Sequence, residues 1–272
     1  MYLFPHRTGG RACHGAMIAG VITATLLGPV LAVPVDSELL LLVDTSIFVT
    51  PRNFNDTLES FARSFEDPNL VDTLRSGPEG GIAASLALFS GPNSQAVTVP
   101  WMSINDASSA QAFADAVRAS ARPFADFTTS FVEAFGFATE QFGSETGAPG
   151  NGFESNTQVV NIMSESFLLP SETAPAVQAA SSQTILRGVD VINAMVVGTF
   201  NSTAANDYYA NNIIGGSVGG EPGTVNSSAN YRVLPAQTLA ALDRQLSVAV
   251  PEMGTSACAI AGLLFLARRR RA

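Results

Sequence analysis

The sequence predicts an α/β fold: a doubly wound, mostly parallel sheet with helices on both faces. Two observations carry this expectation. The stretch Glu38-Leu-Leu-Leu-Leu-Val-Asp44 holds a continuous apolar run, residues 39–43, that ends in a carboxylate. That is the pattern of a strand buried on both faces, not of one with a wet side. Over residues 36–248, strand-like and helix-like patterns then alternate, which is how crossover connections between parallel strands read in a sequence.

The elements follow in order. After Asp44, the residues Asn53, Asn55 and Asp56 offer N-caps for a helix in which Leu58, Phe61, Ala62 and Phe65 recur at helical spacing. Pro68 interrupts that helix, and Gly77-Pro78 marks a turn. Residues 81–89 and 95–101 have strand patterns joined through Ser90-Gly91-Pro92-Asn93-Ser94, as in a hairpin. Residues 106–120 and 129–142 read as helices, 157–163 and 189–197 as strands, with an alanine-rich helix over 173–187 between them. A last helix covers 235–248, and residues 215–223, with five glycines, read as a mobile loop. The strand at Glu38 is expected at the centre, between parallel partners starting near Gly81 and Thr157. Ligands of such sheets bind at the carboxyl ends of strands, which directs attention to Asp44.

Composition removes several chemistries. The 272 residues carry a net charge of −9, and all fourteen basic residues are arginine. Without lysine there is neither Schiff-base catalysis nor the lysine of a phosphate-binding loop. His6 and His14 lie near the start, and Cys13 and Cys258 near opposite ends. Between residues 33 and 250, eight arginines face twenty-two acids, a net −14, with no cysteine, histidine or lysine. This body has no disulfide framework, so its core must supply the stability. Ser-His-Asp and Cys-His mechanisms are excluded there, as is zinc held by imidazole or thiolate. Oxygen-ligated metals and carboxylate chemistry remain. The negative charge argues against nucleic acid as a partner.

Both ends have the pattern of sorting segments. Residues 1–32 read as a secretory signal peptide: Arg7 and Arg11 precede an apolar run that closes with Val30-Leu31-Ala32. At the other end, Val250-Pro251-Glu252-Met253 precedes an apolar stretch over 254–267 and then Arg268, Arg269, Arg270 and Arg271. Such a helix would reach about 21 Å, short of a bilayer core of about 30 Å, with the arginines held on the cytoplasmic side. This tail, residues 250–272, resembles the PEP-CTERM sorting signal, with Met253 where that pattern has a second proline. The resemblance implies a transmembrane helix that anchors the chain transiently, cleavage near Pro251 and Glu252 by an exosortase-type protease, and a bacterial protein exported to the cell surface or extracellular matrix.

The body carries a second resemblance. Asp44-Thr45-Ser46-Ile47-Phe48 resembles the Asp-x-Ser-x-Ser motif of von Willebrand factor A (VWA) domains, whose metal-ion-dependent adhesion site (MIDAS) holds Mg²⁺ or Mn²⁺. The stretches Phe89-Ser-Gly-Pro-Asn-Ser-Gln-Ala-Val-Thr-Val-Pro-Trp101, Asn151-Gly-Phe-Glu154 and Asp207-Tyr-Tyr-Ala-Asn-Asn-Ile-Ile-Gly-Gly216 are similar to a VWA-like family of exported bacterial proteins. The likeness implies a VWA-like domain over 36–248, in a fold that is VWA- or Rossmann-like. It also implies a metal set of Asp44, Ser46, Thr129 at the central threonine, and Glu165 at the final carboxylate. Phe48 stands where the motif has its second serine, the glycines ahead of the threonine are absent, and the final carboxylate is one methylene longer. Magnesium demands near-octahedral oxygens at about 2.0–2.1 Å. The expectation is therefore a degenerate site that binds Mg²⁺ or Mn²⁺ weakly or not at all.

The function implied is a surface or matrix binding and adhesion module without catalytic residues. Its partners would be the sorting protease and an extracellular protein or polysaccharide. Two alternatives stay open. One is a purely structural envelope or matrix component. The other is a carboxylate-dependent hydrolase of extracellular polysaccharide, using a pair such as Glu133/Glu140 or Asp44/Glu165 at about 5–10 Å. Acid pairs are common in so acidic a body, which favours solvated surface for them. Phe61, Phe65, Phe131, Phe135 and Phe137 read as core stripes, and of Tyr208 and Tyr209 one is expected to pack and one to face solvent. Asn201-Ser-Thr203 and Asn226-Ser-Ser228 match the glycosylation pattern and read as surface loops.

Overall fold

The computed structural model describes residues 32–165, 170–198 and 202–250. One short strand and three long ones are interspersed with helices in the first half: β1 (Val33–Pro34), β2 (Glu38–Asp44), α1 (Pro51–Phe65), α2 (Pro68–Leu74), β3 (Ile82–Phe89), β4 (Gln95–Ile104) and α3 (Ala107–Arg118). Then come α4 (Phe131–Thr139), a 3₁₀ turn (Gly143–Thr146), β5 (Phe153–Glu154), β6 (Gln158–Glu165), α5 (Ala174–Leu186) and β7 (Val191–Val197). The chain continues through α6 (Ser202–Asn212), β8 (Gly215–Val218), β9 (Glu221–Pro222), β10 (Val225–Ser228) and α7 (Leu234–Ala249).

The main sheet runs β4-β3-β2-β6-β7-β8-β9, with β10 also on β7. As expected, β2 lies inside the sheet, parallel to β3 on one side and to β6 on the other. β7 and β10 continue the parallel set, whereas β4, β8 and β9 are antiparallel. Alternation of side chains along β2 explains why residues 39–43, between its two terminal carboxylates, are all apolar. Leu39, Leu41 and Val43 pack with α1, α2, α3 and α7. Leu40 and Leu42 pack on the other face with α4, α5 and α6. All four leucines are fully buried, each worth about 1.5–3 kcal/mol relative to exposure. Of the five phenylalanines read as core, 61, 65, 131 and 135 are buried, and Phe137 is half-buried against the α4–α6 side of the core.

Several expectations need correction. The cap of α1 is Thr50, whose side chain accepts from the Asn53 amide, and not Asn53, Asn55 or Asp56. Pro51 takes the first helical position, where its missing N–H costs nothing, and so the helix begins earlier than its apolar spacing suggests. Pro68 works the same way: it opens α2 behind the Asp67 cap. The glycine-rich stretch is a hairpin at the sheet edge instead of a loop. Ile192 and Val191 of β7 pair with Gly215 and Gly216, and a Cβ on Gly216 (φ +70°) would sit 2.0 Å from the Asp190 carbonyl oxygen. Only glycine allows that approach. Asn226-Ser-Ser228 is likewise not a loop but part of β10, with Ser228 buried. Ser202 and Thr203 open α6.

The amino edge of the sheet holds an unusual group. Glu38, the first residue of β2, is 0% exposed. Its carboxyl accepts from Asn151 Nδ2 at 2.5 Å and from Ser155 Oγ at 3.2 Å. Burial, and next to it the Glu145 charge, push its pKa up to about 7, against the Asn151 and Ser155 hydrogen bonds. The segment that supplies these partners also carries β5, which pairs with β1.

Candidate functional site

β2 ends at Asp44, and the chain leaves the sheet in a tight turn whose Ser46 amide returns to Asp44 Oδ1 at 2.7 Å. Thr45 is tied to the end of β3, its N–H and hydroxyl both donating to the Phe89 carbonyl at 2.7 and 3.0 Å. Thr129 precedes Ser130, the cap of α4, and the Ser130 amide is held by the Ser90 carbonyl at 2.8 Å. This brings Thr129 Oγ1 to 3.3 Å from Asp44 Oδ2. A third donor, Ser164 Oγ of β6, reaches the same oxygen at 2.6 Å. Asp44 is 2% exposed. Burial raises its pKa, opposed first by the Ser164 hydroxyl and then by Ser46 and Thr129.

Of the four predicted ligands, Asp44, Ser46 and Thr129 come together, and Glu165 sits apart. The reason is strand periodicity. Ile162 of β6 belongs to the core on the α4–α6 face and Met163 to the core on the α1–α7 face. Ser164 therefore shares the face of Asp44, and Glu165 points the other way. There Glu165 Oε1 accepts from Asn53 Nδ2 of α1 at 2.8 Å and from the Tyr231 hydroxyl at 2.6 Å. Burial raises the Glu165 pKa, and the nearby Asp44 charge adds to the rise. The Tyr231 phenol is pushed far above its ordinary value by burial and by Glu165.

A fixed cation borders the site. Arg122 donates from Nε and Nη2 to the Thr45 carbonyl at 3.2 and 2.7 Å, and from Nη2 to the Ser46 carbonyl at 2.7 Å. Burial lowers its pKa, and the Asp44 charge works against that. The rim is apolar: Ile47 is 44% and Phe127 64% exposed, and the Phe48 and Phe127 rings meet edge-on at 5.7 Å. Tyr209 is fully buried beside Ser164. Tyr208 is only partly buried.

These donors fall short of a full metal shell. One carboxylate and two hydroxyls, those of Thr129 and Ser164, converge, Phe48 offers no oxygen, and the second carboxylate is engaged by Asn53 and Tyr231. Among the described residues, no three Asp, Glu, His or Cys side chains gather to hold an ion. Glu133 and Glu140 are both exposed. The sorting residues Pro251, Glu252, Arg268, Arg269, Arg270 and Arg271 lie outside the described residues, as does the signal segment up to Leu31. Among the described residues, no helix is long and apolar enough to cross a membrane. Sequence reasoning missed Ser164, Arg122, Asn53 and Tyr231. Only Ser164 carried a usable signal, since it has the parity that faces Asp44 in a neighbouring strand.

The parallel sheet with helices on both faces, and a serine-threonine-aspartate cluster at its carboxyl edge, define a VWA-type fold. The chain belongs to the family described as "Protein of unknown function (DUF1194)", whose model matches residues 34–231. A search of curated proteins gives no match. Among solved structures, proximal thread matrix protein 1 from the mussel byssus is similar at 15% identity and a TM-score of 0.50, over 79% of this chain and 47% of that one. A structure of the same mussel protein with a zinc-occupied MIDAS motif is similar at 16% identity and a TM-score of 0.51, over 80% and 49%. The pilus adhesin SpaC from Lactobacillus rhamnosus GG is similar at 10% identity and a TM-score of 0.53, over 79% and 30%. The chain thus spans half or less of the length of these relatives.

Proposed function

We propose that the chain is a non-catalytic VWA-type binding module, exported to the cell surface or matrix, which engages an extracellular protein or polysaccharide through the carboxyl edge of its sheet. The observation that supports this best is the convergence of Ser46, Thr129 and Ser164 on the buried Asp44, ringed by exposed Ile47 and Phe127. Exposed apolar side chains around a polar centre are the make-up of a recognition surface. The adhesin and the matrix protein with which the chain shares its fold are in keeping with that reading. Saturable retention of the purified chain on the matrix fraction of producing cells, lost with Phe127→Ala, is the expected result. Hydrolysis of a glycan panel would favour the carboxylate hydrolase, and retention without saturation would favour a structural component.

The ends belong to the same reading. Residues 1–32 direct export, and residues 250–272 are an exosortase substrate that anchors the chain until cleavage near Pro251 and Glu252. Deleting residues 254–271 should leave a folded body in the wrong compartment. An intact C-terminus on the mature extracellular protein, found by mass spectrometry, would overturn cleavage there.

Metal plays a minor part in this reading. With only one carboxylate and two hydroxyls converging, and Arg122 already beside Asp44, Mg²⁺ or Mn²⁺ binds weakly. Where the ion concentration does not exceed Kd, the stabilisation RT ln(1 + [L]/Kd) stays below about 0.4 kcal/mol. For a body of this size that is a Tm increase under about 2 °C, measured at millimolar Mg²⁺. Phe48→Ser adds an oxygen and is expected to enlarge the response. A micromolar affinity in the unmutated chain would show a functioning metal-dependent site instead.

A further inference from the structure

The face of the sheet covered by α1 and α7 carries carboxamides in the middle of an otherwise apolar core. Asn161 of β6 and Asn193 of β7 are register partners, 8% and 3% exposed, and stand between Val159 and Met163 and between Val191 and Met195. A chain of hydrogen bonds starts from them. Asn161 Nδ2 donates to Gln245 Oε1 of α7 at 2.8 Å, and Gln245 Nε2 donates to Thr224 Oγ1 at 3.3 Å. Thr224 N and Oγ1 donate to Asn193 Oδ1 at 3.0 and 3.2 Å. This uses one donor of Asn161 and the acceptor of Asn193, and leaves the complement open. Among the described residues, Asn161 Oδ1 is buried with no partner, as is Thr238 Oγ1 on α7.

An unpaired buried carboxamide oxygen is costly, on the order of 1–3 kcal/mol, so its retention in a core strand needs a reason. Asn161, Asn193, Thr238 and Gln245 line a small cavity of about 20 Å³, room for one water-sized group. Asn193 and Gln245 also line a neighbouring cleft of about 240 Å³ between α7 and the β8–β9 hairpin. Val191, Val218 and Val248 give that cleft apolar walls, with Arg244 and Glu221 also lining it.

We propose that this cleft binds a small neutral polyhydroxylated molecule, a monosaccharide or polyol, with one hydroxyl entering the small cavity between Asn161 and Asn193. The group required there must donate to Asn161 Oδ1 and accept from the Asn193 amide, and a hydroxyl does both. A carboxylate cannot donate and an ammonium cannot accept, and either would be buried at high cost without an opposite charge in the small cavity. The C–H faces of such a ligand suit the valine walls. The site is separate from the Asp44 edge: it lies toward the amino end of β7, where Val191 and Ile192 pair with the hairpin.

Calorimetric titration of the full chain with D-glucose, with glycerol and with glycine tests this. Saturable binding of glucose or glycerol, and none of glycine, is expected. Asn193→Leu should weaken it roughly tenfold or more through loss of the hydrogen bond. Ser247→Trp, at an exposed position lining the cleft, should block it without disturbing the core, and so keeps the test sound if the Asn193 variant does not fold. No heat from either polyol, meaning a cavity filled by water alone, would overturn the proposal. So would binding of glycine in their place, or polyol binding unchanged in Ser247→Trp.

Discussion

Thermal stability is expected to be greatest near about pH 5 and to fall by several degrees by about pH 8, and Glu38→Gln should remove most of that fall. The folded protein holds a proton on Glu38 up to about pH 7, whereas the unfolded chain releases it near 4.5. Between those values the native state binds more protons than the unfolded state, so stability declines as pH rises and levels off above the folded pKa. A shift of this size is worth at most about 3 kcal/mol, or roughly 6–12 °C for a body of this length. Asp44, Glu165 and Asp190 are raised as well, each mainly by burial, and they add to the slope in the same sense. Glu59 and Glu66, lowered mainly by Arg118, oppose it, but they are largely open to solvent and their effect is screened. Glutamine at position 38 keeps an acceptor for Asn151 and presents an amide to Glu145, so the variant should be more stable than the parent at about pH 8 and similar at about pH 5. Equal slopes for the two proteins in a pH series of melting curves would show that Glu38 is not the group responsible.

The parts of this fold that were legible in the sequence are those where one physical demand dominates. Glu38–Asp44 has to be buried on both faces, and it lies between two parallel neighbours. The hairpin through Ser90 and Ser94 was legible from its turn residues, and β3 and β4 are antiparallel as that turn requires. Legibility failed where glycine serves pairing rather than flexibility. Gly216 is glycine because the backbone of β8 passes against Asp190, and composition alone cannot separate that from a loop. The candidate site was legible in its local half. Asp44 and Ser46 are two residues apart, and their contact follows from the turn itself. The distant half depends on which way each strand residue points at the sheet edge, and a shift of one residue exchanges Ser164 for Glu165. Arg122 approaches from a segment without regular structure, where no periodicity marks it.

The parity of β6 gives the site its most demanding test. A double-mutant cycle on Asp44 and Ser164 is expected to yield a coupling of about 1.5–3 kcal/mol, the range for a hydrogen bond to a charged partner. Ser164→Ala removes the shortest of the hydrogen bonds made to Asp44 and leaves a buried carboxylate with two donors, at 2.7 and 3.3 Å. Asp44→Ala removes the charge but leaves the Ser46 amide, the Thr129 hydroxyl and the Ser164 hydroxyl facing a void. Both single variants should therefore unfold at lower denaturant, and the double variant should lose less than their sum. The matching cycle on Asp44 and Glu165 should come out with the opposite sign, because these two carboxylates repel and neither donates to the other. Glu165→Gln keeps an acceptor for Asn53 and Tyr231 and relieves that repulsion, so its cost should be small. A large favourable coupling of Asp44 to Glu165, with none to Ser164, would mean that a cation joins the two carboxylates in solution, and the carboxyl edge would then be a metal site in working order.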